Sequence, residues 1–303
     1  MKSFIRNLIV LLLLPVLIVR RFYYWHCTDK TNLPGKEFAE FGFEIGKKLL
    51  FKINLSPRLM LNPVSIVRFF EFDYVNRNSQ LTDGMKVLDI SSPYLFGFYQ
   101  SNKIQSDYHY INPDSRDLAN VISLSAKLKF KGNYLTQQMN ALELAYPDNF
   151  FDRVISISVI EHIKDDGDSR AIKEIWRVLK SEGILTFTIP VKKKYEIEYR
   201  ARDEYSLNTE NKSANYFFQR IYDKQKIEER LLSSIINYEI VSNKVFGAIE
   251  KDFYSEYKKR WMKYSYWETV KDPYYISKKF SYFSEIENLE DIGVLGLTIK
   301  KLK

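Results

Sequence analysis

The chain has 303 residues, 45% of them hydrophobic, with a net charge of +8 and a pI of about 9.1. That length holds one large domain with insertions, and the basic balance admits nucleic acid, an anionic membrane surface or phosphorylated substrates without choosing among them. A single cysteine, Cys27, excludes an intrachain disulfide and a cysteine-built zinc cluster.

Lys2 and Arg6 precede an apolar run over residues 8–19, and Arg20 and Arg21 follow it. Twelve helical residues reach about 18 Å, against a hydrocarbon core of about 30 Å. No small-residue cleavage site follows, because residues 20–26 are basic and aromatic. Three readings stand: an in-plane anchor at the cytoplasmic face of a membrane, a helix packed on the domain, or a true span. Tyr23, Tyr24 and Trp25 suit a membrane interface. The expectation is a membrane-associating segment over 1–21 at the inner face of the membrane, on an otherwise cytoplasmic protein.

Residues 22–82 read as a helical preface. Asn62-Pro63 is taken as a cap and first helical position, with Ile66, Val67, Phe70 and Tyr74 at helical spacing after it. Asp83-Gly84 marks the turn out of the preface. From Met85 strands and helices alternate. Strands are expected at 86–90, 108–111, 134–139, 153–158 and 184–189, then at 238–246 and 292–300. Helices are expected from Pro113 through Ala126, over 171–179 with Gly183 in its exit turn, and over 223–233. Such alternation implies an α/β, doubly wound, mostly parallel sheet covered on both faces. Residues 192–220 and 249–290 break the rhythm and read as insertions in a domain over 83–303.

Candidate chemistry clusters at strand ends, where open α/β sheets bind ligands. Asp89 is a lone acid closing an apolar strand; it either caps the next loop or orients a loop that receives a cofactor. Ser92 and Pro93 can open a helix whose free N–H groups would meet a carboxylate or phosphate. Tyr110 cannot offer the two acceptor oxygens that a ribose acid provides. Asn112 offers one amide oxygen or is a plain helix cap. Asn140, before Ala141, is a turn residue or an amide for an adenine edge. Glu161-His162 follows the fourth strand, as a general base tuned by a carboxylate or as a loop cap. The spacing of Glu161, His162, Asp165 and Asp166 matches no standard metal set, so no metal is expected. Lys192-Lys193-Lys194 and Lys258-Lys259-Arg260-Trp261 are solvated faces or contacts to phosphates or RNA.

The segment Tyr146-Pro147-Asp148-Asn149-Phe150-Phe151-Asp152-Arg153-Val154-Ile155-Ser156-Ile157-Ser158-Val159-Ile160-Glu161-His162, and residues 171–190 after it, resemble class I S-adenosylmethionine-dependent methyltransferases of the type 11 kind. Phe217-Phe218-Gln219-Arg220, Tyr222-Asp223 and the ending over 293–300 resemble, more weakly, a bacterial subgroup associated with surface glycans. The resemblance implies a seven-stranded sheet with its last strand antiparallel and S-adenosyl-L-methionine as donor. It carries the cofactor loop onto Asp89, Ile90, Ser91, Ser92 and Pro93, the ribose position onto Tyr110, the adenine position onto Asn140, and the segment after the fourth strand onto Ser158, Glu161 and His162. Ser91-Ser92-Pro93 stands where the family has a glycine-rich loop. The expected function is methyl transfer to an oxygen of a glycan or other small or lipid-linked acceptor. Its rivals are a non-enzymatic scaffold and an RNA methyltransferase, although nucleic acid is the less expected partner.

Overall fold

In a computed structural model, which describes residues 2–51, 56–201 and 215–303, the alternation after Met85 becomes one central sheet. The preface is helical: α1 (Lys2–Cys27), α2 (Lys36–Phe51), α3 (Pro57–Leu61) and α4 (Arg68–Asn78). The core follows as β1 (Lys86–Ile90), α5 (Tyr94–Lys103), β2 (Asp107–Ile111), α6 (Ser115–Ser125), β3 (Asn133–Gln137), β4 (Phe151–Ile157), α7 (Gly167–Val178) and β5 (Leu179–Val191). A hairpin of β6 (Glu196–Arg200) and β7 (Tyr216–Ile221) comes next, then α8 (Lys224–Arg230) and β8 (Tyr238–Ala248). The chain ends with α9 (Phe253–Thr269), α10 (Asp272–Lys279), β9 (Phe280–Phe283) and β10 (Gly293–Lys301).

The sheet order is β3-β2-β1-β4-β5-β10-β8-β9, and the first five of these are parallel. β10 runs antiparallel to both β5 and β8. The chain winds outward from β1 to β3, then returns to lay β4 on the other side of β1. That reversal opens a crevice beyond the carboxyl ends of β1 and β4.

Two apolar layers cover the sheet. On one face Phe38, Phe70, Phe72 and Phe96 pack from the preface and α5. On the other, Ile172 and Ile175 of α7 meet Leu185, Phe187 and Ile189 of β5. β5 alternates these residues with Thr186 and Thr188, which face the preface helices. Tyr74 of α4 lies so close to β10 that a Cβ on Gly296 would come within 2.4 Å of its ring. Its hydroxyl sits 3.0 Å from Thr298 Oγ1. Glycine is required there by close approach, and a polar sheet face is satisfied by a helix side chain.

Three expectations need correction. Among the described residues the sheet has eight strands, not seven, because β9 pairs with β8 inside the expected insertion. A four-residue strand between helices carries too little alternation to be read. Within and just after the expected insertion over 192–220, β6 and β7 pair antiparallel in a two-stranded sheet of their own. Asn62 follows α3 instead of opening a helix. Its amide donates to buried Asp272, which also accepts Ile66 N–H, so residues 62–66 stay non-helical until Arg68. Gly183 lies within β5, and the left-handed residue of that bend is Glu182 (φ 65°).

Candidate functional site

The crevice is open, with a volume of about 770 Å³, within the usual range for a small-molecule site. Ser91, Ser92, Pro93, Tyr110, Asn112, Asn140, Ala141, Ser158 and His162 all line it. Asp89 and Glu161 do not; both are buried behind its wall.

Each strand end turns by a strained serine. Ser91, after β1, has φ 52°, and Ser158, after β4, has φ 47°. Few residues other than glycine hold this left-handed region, at a cost of about 1–3 kcal/mol. Ser91 is held there because both its N–H and its Oγ donate to Ile111 O, each at 2.9 Å. The backbone path that glycine gives most readily is thus taken by a serine. Beneath it Asp89 accepts Ser92 N–H at 2.9 Å and the Tyr108 hydroxyl at 2.6 Å. Burial pushes the Asp89 carboxyl up to about 6, against the pull of these two donors. Asp89 therefore shapes the loop from below. Ser92 does not cap α5: its Oγ accepts Ile157 N–H, tying the β1 loop to β4, and Pro93 is the residue that precedes the helix.

The β2 end is polar but self-satisfied. Asn112 donates to the Tyr110 hydroxyl at 3.3 Å, and its amide oxygen accepts Asp114 N–H. Asp114 caps α6 through Arg116 N–H. Asp117, in the first turn of α6, lines the crevice and offers the two oxygens that Tyr110 lacks. Asn140 accepts Leu142 N–H in a plain turn while also facing the crevice.

The floor after β4 is charged. Glu71 of α4 accepts Arg68 Nη1 at 2.6 Å, Thr188 Oγ1 at 2.9 Å and Ser158 Oγ. Glu161 lies in the same cluster; its Oε2 is buried with no hydrogen-bond partner among the described residues. Burial pushes Glu161 up to about 8, against its own backbone N–H and nearby Arg68. His162 donates from Nδ1 to Phe218 O at 2.7 Å, and its Nε2 stands 3.7 Å from Glu161 Oε1. Burial lowers the imidazole to about 4, so it is neutral at physiological pH. The Phe218 carbonyl orients its ring. A neutral imidazole thus stands beside a carboxyl that burial keeps protonated.

Arg68, Glu71 and Asp117 escaped sequence reading. The signal for the first two was present: Arg68 and Glu71 stand one helical turn apart, at i and i+3, in a helix whose Phe69, Phe70, Phe72, Tyr74 and Val75 are all buried. Charges inside such an apolar segment need partners.

Residues 102–187 match the family described as "Methyltransferase domain". No curated protein gives a significant match. Among solved structures, the MccD protein is 15% identical with a TM-score of 0.50, over 77% of this chain and 96% of its own. The [4+2]-cyclase SpnF is 21% identical with a TM-score of 0.46, over 76% and 80%. An S-adenosylmethionine-dependent methyltransferase from Methanosarcina mazei is 16% identical with a TM-score of 0.47, over 74% and 95%. At 15% identity the likeness to the MccD protein speaks to fold alone. The segment that matches the methyltransferase-domain family runs through β2, α6, β3, β4, α7 and much of β5, the elements that build one side of the crevice.

Proposed function

We propose that the crevice seats S-adenosylmethionine and that the enzyme methylates an oxygen of a glycan or other small or lipid-linked acceptor. The observation that carries the reading is the open crevice beyond Ile90, bounded by the Ser91 turn on one side and the Ser158–His162 segment on the other. The first turn of α5 faces it and supplies backbone N–H groups suited to an anionic group. Ser91, Ser92, Asn112, Asn140 and Ala141 would bound the donor pocket, with Asp89 fixing the loop beneath. Asp117 is the carboxylate suited to the ribose.

When bound, the donor supplies an electrophilic methyl group on sulfonium. The chain's own work is then mainly positioning, which in well-aligned reactions removes about 7–11 kcal/mol of barrier. His162 and Glu161 are the candidate proton-handling pair. The neutral imidazole can take a proton at Nε2 as it leaves an acceptor hydroxyl. Its low basicity makes it a weak general base, which suits an acceptor whose proton departs late.

The insertion over 192–220 supports an extended acceptor. Tyr195, Tyr199, Tyr216 and Phe217 line a second cavity of about 360 Å³. That cavity shares Lys164, Asp165 and Phe217 with the crevice. Aromatic rings beside polar groups suit the faces of sugar rings. We further propose that residues 1–21 associate with the inner face of the membrane. Among the described residues no helix is long and apolar enough to cross one.

Calorimetry with S-adenosylmethionine and with S-adenosylhomocysteine tests the donor reading. Binding is expected, and it weakens in Asp117→Ala, which removes the carboxylate suited to the ribose. No binding at millimolar concentration would overturn the enzyme reading and leave a scaffold.

A further inference from the structure

Helix α1 is apolar on two sides. Leu17 is buried against Leu61 and Val270, so one side is satisfied by protein. On the other side Leu12, Val16, Val19 and Tyr23 recur at helical spacing and stand in solvent, Leu12 at 72% and Val19 at 69% exposure. A helix apolar all round meets either protein or lipid on each face.

The second half of α9 lies beside it. The Arg20 guanidinium stacks on the Trp267 ring at 4.3 Å and on Tyr24 at 5.0 Å, and its Nε donates to Trp267 O. On α9, Arg260, Lys263, Tyr264 and Trp267 fall at i, i+3, i+4 and i+7, on one exposed face. Met262, 60% exposed, stands nearby on the same half-helix. Cations interleaved with Tyr and Trp are the composition of a lipid headgroup layer contact, and the apolar stripe of α1 suits the acyl boundary below it.

We infer that α1 and α9 form a single docking surface for an anionic lipid bilayer, with α1 dipping into the acyl boundary and the α9 face reading the headgroups. The inference rests on the reading of residues 1–21 as membrane-associated and adds to it a second, cationic helix that sets lipid charge preference. Each cation near an anionic surface adds attraction that neutral lipid does not give. Of the run over 258–261, weighed from sequence as a solvated face or a contact to phosphates or RNA, Arg260 belongs to this face, while Lys258 lies on the other side of α9 near Glu198.

The test is vesicle sedimentation of the full chain, with vesicles of phosphatidylcholine alone and of equimolar phosphatidylcholine and phosphatidylglycerol. Two double variants are compared, Val16→Glu with Val19→Glu, and Lys263→Glu with Tyr264→Ser. Neither touches the crevice, so calorimetric binding of S-adenosylhomocysteine serves as the check that each folds. The unmodified chain should prefer the anionic vesicles, and each double variant should lower that binding by about tenfold or more. If the α9 variant binds like the unmodified chain while the α1 variant does not, the two-helix surface is overturned and the α1 reading stands. If the unmodified chain sediments with neither vesicle, both are overturned.

Discussion

The two strand ends that frame the crevice make the same left-handed serine turn by different means. Ser91 is pinned within the sheet, by the carbonyl of Ile111 on the neighbouring strand. Ser158 shares the in-sheet tie, its N–H donating to Thr188 O on β5 at 3.1 Å, but its hydroxyl is pinned from outside the sheet, by the Glu71 carboxylate of the preface. One turn is a local device that travels with its two strands. The other adds to its strand contact a helix 87 positions away in the chain, through the Arg68–Glu71 ion pair beside which Glu161 keeps its proton. The comparison teaches that the N-terminal preface is part of the site, because it holds the segment carrying His162.

The largest effect should come from removing the outside pin. Glu71→Ala leaves the Arg68 guanidinium, Ser158 Oγ and Thr188 Oγ1 without their shared acceptor. Arg68 keeps 26% of its side chain exposed, so the loss should fall near the low end for a broken buried pair, about 3 kcal/mol. Urea denaturation reads it, and a loss below about 1 kcal/mol would show that the cluster is solvated in the native state.

A second effect concerns pH. Glu161 is held up to about 8 in the fold, so between its unfolded value and that point the native state keeps a proton that the unfolded chain has released. Stability is then fully present at low pH and is lost as pH rises, at up to about 1.4 kcal/mol per pH unit. Asp272, pushed up to about 7, acts in the same direction. His162, lowered to about 4, has the opposite sign, but only below the ordinary histidine range. The slope should therefore be negative between about pH 6.5 and 8 and flatter in Glu161→Gln. Urea midpoints across that window test it; parallel slopes for the two proteins would remove Glu161 as the cause.

The smallest effect separates the two turns directly. Glycine relieves about 1 kcal/mol of left-handed strain at either site. Ser91→Gly gives up a neutral hydrogen bond of about 1 kcal/mol and should be close to neutral. Ser158→Gly gives up a bond to a carboxylate, about 1.5–3 kcal/mol, and should be net destabilising by about 1 kcal/mol. Equal shifts in thermal midpoint for the two variants would erase the distinction drawn between them.

Periodicity made much of the sheet legible, because strands buried on both faces read as short apolar runs between helical stripes. It was silent on β9, whose four residues alternate too briefly, and on the hairpin that 192–220 contributes. At the site, residues at strand ends were legible because topology alone puts them at the crevice: Ser91, Asn112, Asn140, Ser158 and His162 all arrive there. Asp89 was legible as an acid that caps the next loop; its complete burial was not, since strand pattern does not say which face an end residue takes. Glu161 and His162 were legible as a pair. Their protonation was not, because burial by elements distant in sequence pushes one up and the other down.

The sequence by itself determined the winding of the chain, the place where the winding reverses and the methyltransferase-like segment, since these follow from local hydrophobic spacing and short motifs. Tertiary structure alone decided that a serine could take glycine's turn, that Arg68 and Glu71 would brace the floor, and that α1 would leave an apolar stripe uncovered. Those outcomes depend on which side chains meet across long separations, and on how much water each meeting removes.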